Sequence, residues 1–216
     1  MNDFTYAPPQ APLTILHADD DIVVADKPAG LLSVPGRGPE RADCLIARLR
    51  DVFPSVLLVH RLDQDTSGVI VFALTPQAQA HLGRQFENRR TQKRYVALVS
   101  GHPKAEQGRV DLPLVVDWPN RPRQKVCHET GRPAQTDWRL MRREGANARL
   151  RLVPITGRSH QLRVHMQAIG HPILGDTLYA TGAAADWPRL MLHAAELRLT
   201  HPATGETRTF RAPVPF

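Results

Sequence analysis

The sequence predicts an α+β protein built around a largely antiparallel, twisted β-sheet. Strand-like apolar runs dominate the chain, and about three helical segments are interspersed among them at irregular intervals. The regular alternation of strands and helices that is typical of parallel sheets is absent. With 216 residues, the chain is long enough for one large domain with its own core. We therefore expect a proline-containing N-terminal arm over residues 1–12 and a single domain over residues 13–216.

The first part of the chain indicates a hairpin, a helix and two buried strands. In "TILHADDDIVVADK" two short strands flank an acidic turn, and a loop rich in proline and glycine begins at Lys27. The segment "RADCLIARLRDVFP" has apolar residues near helical spacing and ends at Pro54. The apolar runs "LLV" and "VIVFAL" then predict two strands, separated by a polar loop that ends at Gly68.

The clearest helix signal follows in "TPQAQAHLGRQFENRR". Thr75 suits the N-cap, and Pro76 suits the first helical position, where a missing N–H does no harm. Apolar residues at Ala78, Leu82 and Phe86 give this helix one apolar face.

The remaining segments indicate strands, hairpins and one more helix. "KRYVALVSG" predicts a strand, and the proline-rich "DLPLVVDWPNRPRQK" predicts an exposed loop or an extended ribbon. "AQTDWRLMRR" and "ARLRLVPIT" predict a hairpin. "SHQLRVHMQAIGHP" predicts a helix that ends at Gly170 and Pro172. A last hairpin, turned at "PATGE", is expected near the C-terminus.

The composition favours a soluble protein that meets polyanions. Lys and Arg number 28 against 21 Asp and Glu, which gives a formal charge of +7 and a pI of about 10.1. Basic islands occur at residues 84–95, 121–125 and 157–165, a distribution that favours nucleic acid. No apolar run is long enough for a membrane span. The N-terminus lacks the pattern of a secretory signal, so we expect a cytoplasmic protein. Cys44 and Cys127 are too few for a disulfide framework.

The candidate catalytic centre is the polar loop "HRLDQDTSG", which places Asp63 and Asp65 between two predicted buried strands. A carboxylate beside an apolar core is costly unless it is paired or functional. No P-loop or dinucleotide-binding glycine pattern is present. The histidines His160, His165 and His171 lack the four-residue spacing that stacks two imidazoles on one helical face, so a zinc site is disfavoured.

The string "DTSG" followed by "VIVF" is also similar to the active-site loop of aspartic proteases. That alternative requires either a second copy of the motif or a symmetric dimer. The sequence holds no second copy, because "ATGE" lacks the carboxylate.

The longer string "HRLDQDTSG" matches every fixed position of the signature H-R-L-D-x-x-T-S-G of the RluA-type pseudouridine synthases. Further segments resemble the family in the same order: "DKPAGLLSVPG", "KRYVAL", "GRSHQLRVH", "HPILGDTLY" and "LHAAELRLTHPATGE". The resemblance covers nearly the whole chain. It implies the pseudouridine synthase fold, with a central mixed sheet and with flanking helices and loops around an active-site cleft. Many relatives carry an N-terminal S4 domain, and the sequence shows none.

The resemblance implies a catalytic set of Asp63, Tyr95 and Arg163. Asp63 matches the ionised aspartate of the family, and Arg163 matches the arginine that pairs with it and keeps it ionised. Tyr95 matches the tyrosine that stacks on the target base. Without the resemblance, an aromatic residue on a strand would be interpreted as core.

The resemblance also implies a set of RNA-binding and base-flipping residues. Arg61 matches the arginine that fills the place of the flipped base, and on an extended backbone it shares a face with Asp63. Arg158, near the start of the last predicted helix, is expected to meet phosphate. Gln161 belongs to the same RNA-binding prediction, and His60 is expected to support the loop.

The expected function is isomerisation of specific uridines in structured RNA, without metal or organic cofactor, by a monomer. The segment "DLPLVVDWPNRPRQKVCHETGRPAQT" resembles the dual-specificity branch of the family, which implies a 23S rRNA loop and the anticodon loop of some tRNAs as substrates. The alternative from another class is an RNA-binding or chaperone module that has lost the chemistry.

Overall fold

The computed structural model describes residues 6–216. The first five residues of the predicted arm lie outside the described part. Two compact units are present. Unit 1 comprises Met1–Gln92, of which 6–92 are described, together with Ala194–Pro213. Unit 2 comprises Lys93–His193 and Val214–Phe216. The prediction of one catalytic domain from residue 13 to residue 216 stays a prediction, and within that span each unit has a core of its own.

The regular elements follow the chain in a mixed order of strands and helices. They are β1 Thr14–Ala18, β2 Ile22–Lys27, α1 Leu45–Arg50, β3 Leu57–Leu58, β4 Ser67–Ala73, α2 Pro76–Glu87, β5 Gln92–Ser100, β6 Gln107–Asp111, β7 Leu114–Val116, β8 Gln124–Val126, β9 Gln135–Glu144, β10 Asn147–Pro154, α3 Gln161–Ala168, β11 Leu192–Thr200 and β12 Thr207–Arg211. Short 3₁₀ turns occur at Pro39–Arg41, Trp118–Asn120 and Gly182–Ala184.

Unit 1 is a sheet with α2 packed on it. β2 pairs antiparallel with β1 and β4, β3 pairs antiparallel with β4, β11 neighbours β4, and β12 pairs antiparallel with β11. Ala78 and Leu82 of α2 join the strand residues Val24 and Val71 in one buried cluster. α2 begins where predicted, because the Thr75 hydroxyl oxygen accepts a hydrogen bond from the Ala78 N–H at 3.1 Å.

Unit 2 is an antiparallel sheet in the order β5-β10-β9-β6, together with a separate two-stranded ribbon formed by β7 and β8. Leu162 and Met166 of α3 pack against Leu150 and Leu152 of β10 in the core of this unit. The proline-rich segment from Asp111 to Lys125 therefore contains the extended ribbon that was one of its two predicted forms.

The predicted α+β class is confirmed, and every strand pair whose register is described is antiparallel. α3 ends at Ala168, and Gly170 follows with φ +82°, as a C-terminal glycine signal predicts. Its start differs from the sequence pattern, since His160 adopts a left-handed conformation and the helix begins only at Gln161. Among residues 6–216, no helix is long and apolar enough to cross a membrane.

Candidate active site

The loop between β3 and β4 carries Asp63, which is half-buried, and Arg61, which is exposed. Two side-chain contacts hold its first residues: the Ser33 hydroxyl donates to the Leu62 carbonyl at 2.8 Å and accepts from the Leu62 N–H at 3.2 Å. The Thr66 N–H donates to the Asp63 carbonyl at 3.1 Å and closes a turn around the carboxylate residue. The backbone on both sides of Asp63 is thus fixed by hydrogen bonds.

Lys27 supports the same loop from inside the protein. Its side chain is fully buried, and its ammonium donates to the carbonyls of Pro28 at 2.9 Å, Leu31 at 2.6 Å and Gln64 at 2.7 Å. An ammonium has three N–H donors, so all of them are used. The Gly30 N–H also donates to the Gln64 carbonyl, at 3.0 Å. A buried charge is tolerated here because three carbonyl dipoles surround it.

Gly68 lets the loop enter β4. Its φ of +113° lies in the region that favours glycine, and a Cβ atom there would lie 2.3 Å from the carbonyl oxygen of Ala194. No side chain fits in that space without a shift of backbone. The glycine that ends the signature motif is therefore required by close packing within unit 1.

His60 and Arg61, next to each other in the loop, have different surroundings. The Nε2 atom of His60 accepts from the Val71 N–H at 3.2 Å, and its ring stacks on Phe86 at a centroid distance of 4.4 Å. These contacts fit the support role predicted for His60. Among residues 6–216, the side chain of Arg61 has no hydrogen bond or ion pair, and it forms no salt bridge with Asp65.

Arg163 lies in α3 of unit 2 and is almost fully buried, with 3% of its side chain exposed. Its Nε and Nη2 atoms donate to the two carboxylate oxygens of Asp176 at 2.8 and 2.7 Å, and Asp176 is fully buried. The guanidinium also lies 5.1 Å from the ring centroid of Tyr179. A two-point contact with a carboxylate fixes the plane and direction of the guanidinium.

Asp176 and Tyr179 are site-supporting residues that the sequence reasoning did not identify. One Asp176 oxygen accepts the N–H groups of Leu178 at 3.0 Å and Tyr179 at 3.1 Å. The Tyr179 hydroxyl accepts from the Gln124 N–H at 2.7 Å and lies 2.7 Å from His160 Nδ1. The segment "HPILGDTLY" was the available signal, because it places an acid and an aromatic residue beside apolar residues.

The sequence also did not identify Lys27 as a residue that supports the Asp63 loop. The only local signal was a lysine at the end of a mostly apolar strand, directly before a Pro-Ala-Gly turn. Its ammonium is held by two carbonyls close in the chain, those of Pro28 and Leu31, and by the distant carbonyl of Gln64, a contact that no periodic pattern contains.

Gln161 and Arg158 organise the backbone ahead of α3. Gln161 is 4% exposed; its amide nitrogen donates to the Gln135 carbonyl at 2.8 Å, and its amide oxygen accepts from the Thr156 hydroxyl at 2.6 Å and the Arg158 N–H at 3.0 Å. Both ends of this amide are used inside the protein and hold the segment in place, and the RNA-binding role of Gln161 stays a prediction. The side chain of Arg158 is half-exposed and donates from Nε to the Pro133 carbonyl at 3.2 Å.

Tyr95 lies on β5, opposite Leu152 of β10, and its ring packs against the core of unit 2. It is half-buried, so part of the ring remains accessible. Asp63 belongs to unit 1, whereas Tyr95 and Arg163 belong to unit 2. The carboxylate described beside Arg163 is Asp176, and the pairing of Arg163 with Asp63 stays a prediction.

The three histidines considered for zinc have separate protein partners. His160 contacts the Tyr179 hydroxyl, His171 lies 2.9 Å from the Ser100 carbonyl through Nδ1, and His165 is bonded at both ring nitrogens, to Thr136 and Leu112. Burial lowers the pKa of His165, so this ring is neutral near pH 7.

A different cluster in unit 1, formed by His17, Asp19 and His201, has ligand atoms within 4.8 Å of one another. One Asp19 oxygen lies 2.6 Å from His17 Nε2 and 3.0 Å from His201 Nε2, and the guanidinium of Arg208 is 3.8 Å away. The nearby guanidinium disfavours a cation at this carboxylate, and the two imidazole contacts fit a hydrogen-bonded clasp between the β1–β2 and β11–β12 turns.

Comparisons with known proteins agree with the motif. The family model for RNA pseudouridylate synthase matches residues 21–168. The chain is 58% identical over 214 residues to the dual-specificity RNA pseudouridine synthase RluA of Escherichia coli (strain K12), covering 98% of both chains. It is 52% identical over 218 residues to the protein of that name from Vibrio vulnificus (strain CMCP6), covering 98% of this chain and 87% of the relative. The solved structure of human RNA Pseudouridylate Synthase Domain Containing 1 superposes with a TM-score of 0.79 at 29% identity, covering 97% of this chain and 87% of that chain.

Proposed function

The chain belongs to the RNA pseudouridylate synthase family, and on that premise we propose which RNAs it modifies and which side chains carry out the reaction. It is an RNA pseudouridine synthase, an isomerase. The reaction breaks the N1–C1′ bond of a uridine and joins C1′ to C5 of the same base. C5 loses its proton and N1 gains one, so no atom is consumed or released overall.

The substrates we propose are a loop of 23S rRNA and the anticodon loop of some tRNAs. The support is the 58% identity, over 98% of both chains, to a relative that is named a dual-specificity enzyme. The exposed Trp118, with the Arg121 guanidinium 3.9 Å from its ring centroid, adds a cationic and aromatic surface of the kind that binds RNA bases. We also expect a monomer that works in the cytoplasm without metal or organic cofactor.

Asp63 is the carboxylate we assign to the reaction. Whether it attacks C1′ or takes a proton from the sugar, it must be ionised and fixed in direction before the uridine arrives. The fixed backbone of the loop supports the assignment, because Lys27, Ser33 and Gly68 each hold a different part of it. The single observation that carries the assignment is the complete H-R-L-D-x-x-T-S-G motif on a loop held in this way.

The remaining proposed roles concern Arg61, Tyr95 and Arg163. Arg61 is exposed and has no protein partner among residues 6–216, which suits a side chain that fills the gap left by a flipped base. Tyr95 is assigned to stack on the extruded uracil. Arg163 is assigned to act with Asp63, with its plane fixed by Asp176 and Tyr179.

The test is Asp63→Asn, with Asp65→Asn as the matched control from the same half-buried loop. Each variant is expressed in cells that lack the gene, and pseudouridines in 23S rRNA and tRNA are mapped by carbodiimide labelling. We expect Asp63→Asn to abolish the modification and leave RNA affinity near that of the wild type, whereas Asp65→Asn retains activity.

Retained modification in Asp63→Asn would remove this carboxylate from the mechanism. Wild-type protein that binds RNA and restores no pseudouridine would instead favour the RNA-binding module without chemistry.

A further inference from the structure

Two arginines face each other across the β9–β10 hairpin of unit 2. Arg139 and Arg151 are directly opposite in the antiparallel register, and Arg139 is exposed. Side chains at such positions are close neighbours, and like charges there destabilise a sheet. Among residues 6–216, neither guanidinium has a hydrogen bond or an ion pair.

A second pair of opposed arginines in the same hairpin shares a carboxylate. Arg142 and Arg149 are also directly opposite each other. Both donate from Nε to the same oxygen of Glu144, a half-buried carboxylate that belongs to the same hairpin. The hydrogen bond from Arg149 lowers the pKa of Glu144 to about 2, so the bridging anion is present throughout the neutral range. The Arg139–Arg151 pair is also directly opposed in the register but lacks an anion.

The two unpaired arginines lie in a groove of about 400 Å³ on the face of the sheet. Arg109 and Asp137 border it and neutralise each other, with Nε to Oδ1 at 2.6 Å and Nη2 to Oδ2 at 2.9 Å. Val153 adds an apolar side chain to the lining. Since the only carboxylate in this lining is already paired, the positive charges of Arg139 and Arg151 determine what the groove attracts.

The groove is separate from the residues proposed for catalysis in unit 2. Tyr95 and Leu152 are cross-strand partners and pack in the core beneath α3. Because successive side chains of a strand point to opposite faces, Arg151 points away from Leu152, Tyr95 and α3. A ligand in the groove would therefore contact the face opposite the one that carries the catalytic candidates of this unit.

We propose that Arg139 and Arg151 form an anion site that binds the phosphodiester backbone of the RNA substrate at a point remote from the target uridine. The inference rests on the proposed function for the identity of its ligand. A phosphate supplies to this arginine pair what Glu144 supplies to the other one: a single anion that accepts from two guanidinium groups. Such contacts position an RNA without reading its sequence.

The test compares Arg139→Gln/Arg151→Gln with Arg142→Gln, which removes a charge from the same hairpin but from the pair that already has its carboxylate. The probe is transcribed 23S rRNA in a filter-binding assay. We expect the double variant to bind about tenfold more weakly at low salt, and the slope of log affinity against log salt to become less steep by about 2. Arg142→Gln should change the affinity less than about threefold.

The unfolding temperature provides a second readout. Since the double variant removes two like charges from directly opposed positions, its unfolding temperature should equal or exceed that of the wild type. A misfolded variant is thereby distinguished from one that has lost an anion site.

An unchanged affinity and salt slope in the double variant would overturn the proposal. An equal loss of log affinity per removed charge in Arg142→Gln and in the double variant would also overturn it, because that would indicate a general effect of net charge. Pseudouridine formation is measured separately. Absence of modification by the wild-type protein would refute the proposed function, whereas wild-type modification together with unchanged binding by the double variant would refute the anion site alone.

Discussion

Replacement of Asp176 by Asn should separate the buried charge pair from the hydrogen bonds around it. Asp176 is fully buried and Arg163 is 3% exposed, with two hydrogen bonds of 2.8 and 2.7 Å between them. The Asn oxygen can still accept the N–H groups of Leu178 and Tyr179, but its amide carries no charge and presents N–H donors to one arm of the guanidinium. The variant therefore leaves a cation buried without its anion.

The expected cost is large because of this burial. Removing one partner of a buried ion pair costs about 3–5 kcal/mol. In a protein of this size, each kcal/mol lowers the unfolding temperature by about 2–4 °C, which gives a decrease of about 6–20 °C. Differential scanning calorimetry or fluorescence-monitored unfolding measures this directly.

The chain offers a matched control in Arg109 and Asp137. This pair has the same two-point geometry, at 2.6 and 2.9 Å, but the two side chains are 55% and 39% exposed. Exposed pairs contribute about 0.2–1 kcal/mol, so Asp137→Asn should lower the unfolding temperature by no more than about 4 °C. Equal shifts in Asp137→Asn and Asp176→Asn would refute the argument that burial sets the cost.

A kinetic readout tests whether Asp176 also positions Arg163. At a temperature where Asp176→Asn is folded, a misaligned guanidinium should lower kcat by about tenfold or more and leave KM for RNA nearly unchanged. Wild-type kcat in the folded variant would mean that the pair stabilises unit 2 without directing the arginine.

Two further predictions concern unit 1. Lys27→Met should lower the free energy of unfolding by at least about 2 kcal/mol and reduce kcat, because three carbonyl oxygens, including that of Gln64 in the Asp63 loop, lose their donor. For the exposed Lys125→Met, urea titration should show a loss of less than about 1 kcal/mol. Burial alone would raise the pKa of Asp19, but hydrogen bonds, including those from His17 and His201, hold it well below its usual range. This carboxylate therefore stabilises the folded state above about pH 4 and loses that contribution in acid. Urea titrations at several pH values should show that the stability difference between wild type and Asp19→Asn is largest near pH 7 and shrinks below about pH 4.

Local chemistry made the helix and hairpin boundaries predictable. Thr75 and Pro76 define the start of α2 because a hydroxyl cap and a residue without an N–H act within one turn of the chain. Gly170 marks the end of α3 for a similar reason. The start of α3 was not predictable, because His160 has a left-handed backbone and a contact to Tyr179 that no neighbouring residue announces.

The candidate site also has a part that local sequence predicts and a part that depends on distant contacts. A nine-residue motif was enough to single out Asp63 as the candidate, because the motif and its loop are contiguous in the sequence. The supports of the site come from elsewhere: Lys27 reaches Gln64, and Arg163 reaches Asp176. Periodicity describes which face a residue occupies, but it does not say which distant polar group it meets there. Buried polar partners therefore require the tertiary structure.

The charge that the folded protein offers to RNA also depends on contacts between residues that are distant in the sequence. A formal charge of +7 counts every guanidinium equally, yet many of them are neutralised within the protein. Such pairs are Arg48–Asp43, Arg109–Asp137, Arg142–Glu144, Arg149–Glu144, Arg163–Asp176 and Arg211–Glu196.

A paired arginine displaces few counterions from RNA, because its own charge is already compensated, so the salt dependence of binding should depend mainly on the unpaired ones. The sequence islands group charges that are adjacent along the chain. The sheet instead brings together Arg139 and Arg151 from the two arms of a hairpin, outside every island. We therefore expect the electrostatic contacts with RNA to be made by the arginines that lack a carboxylate partner in the folded protein. Net charge does not show where these arginines lie.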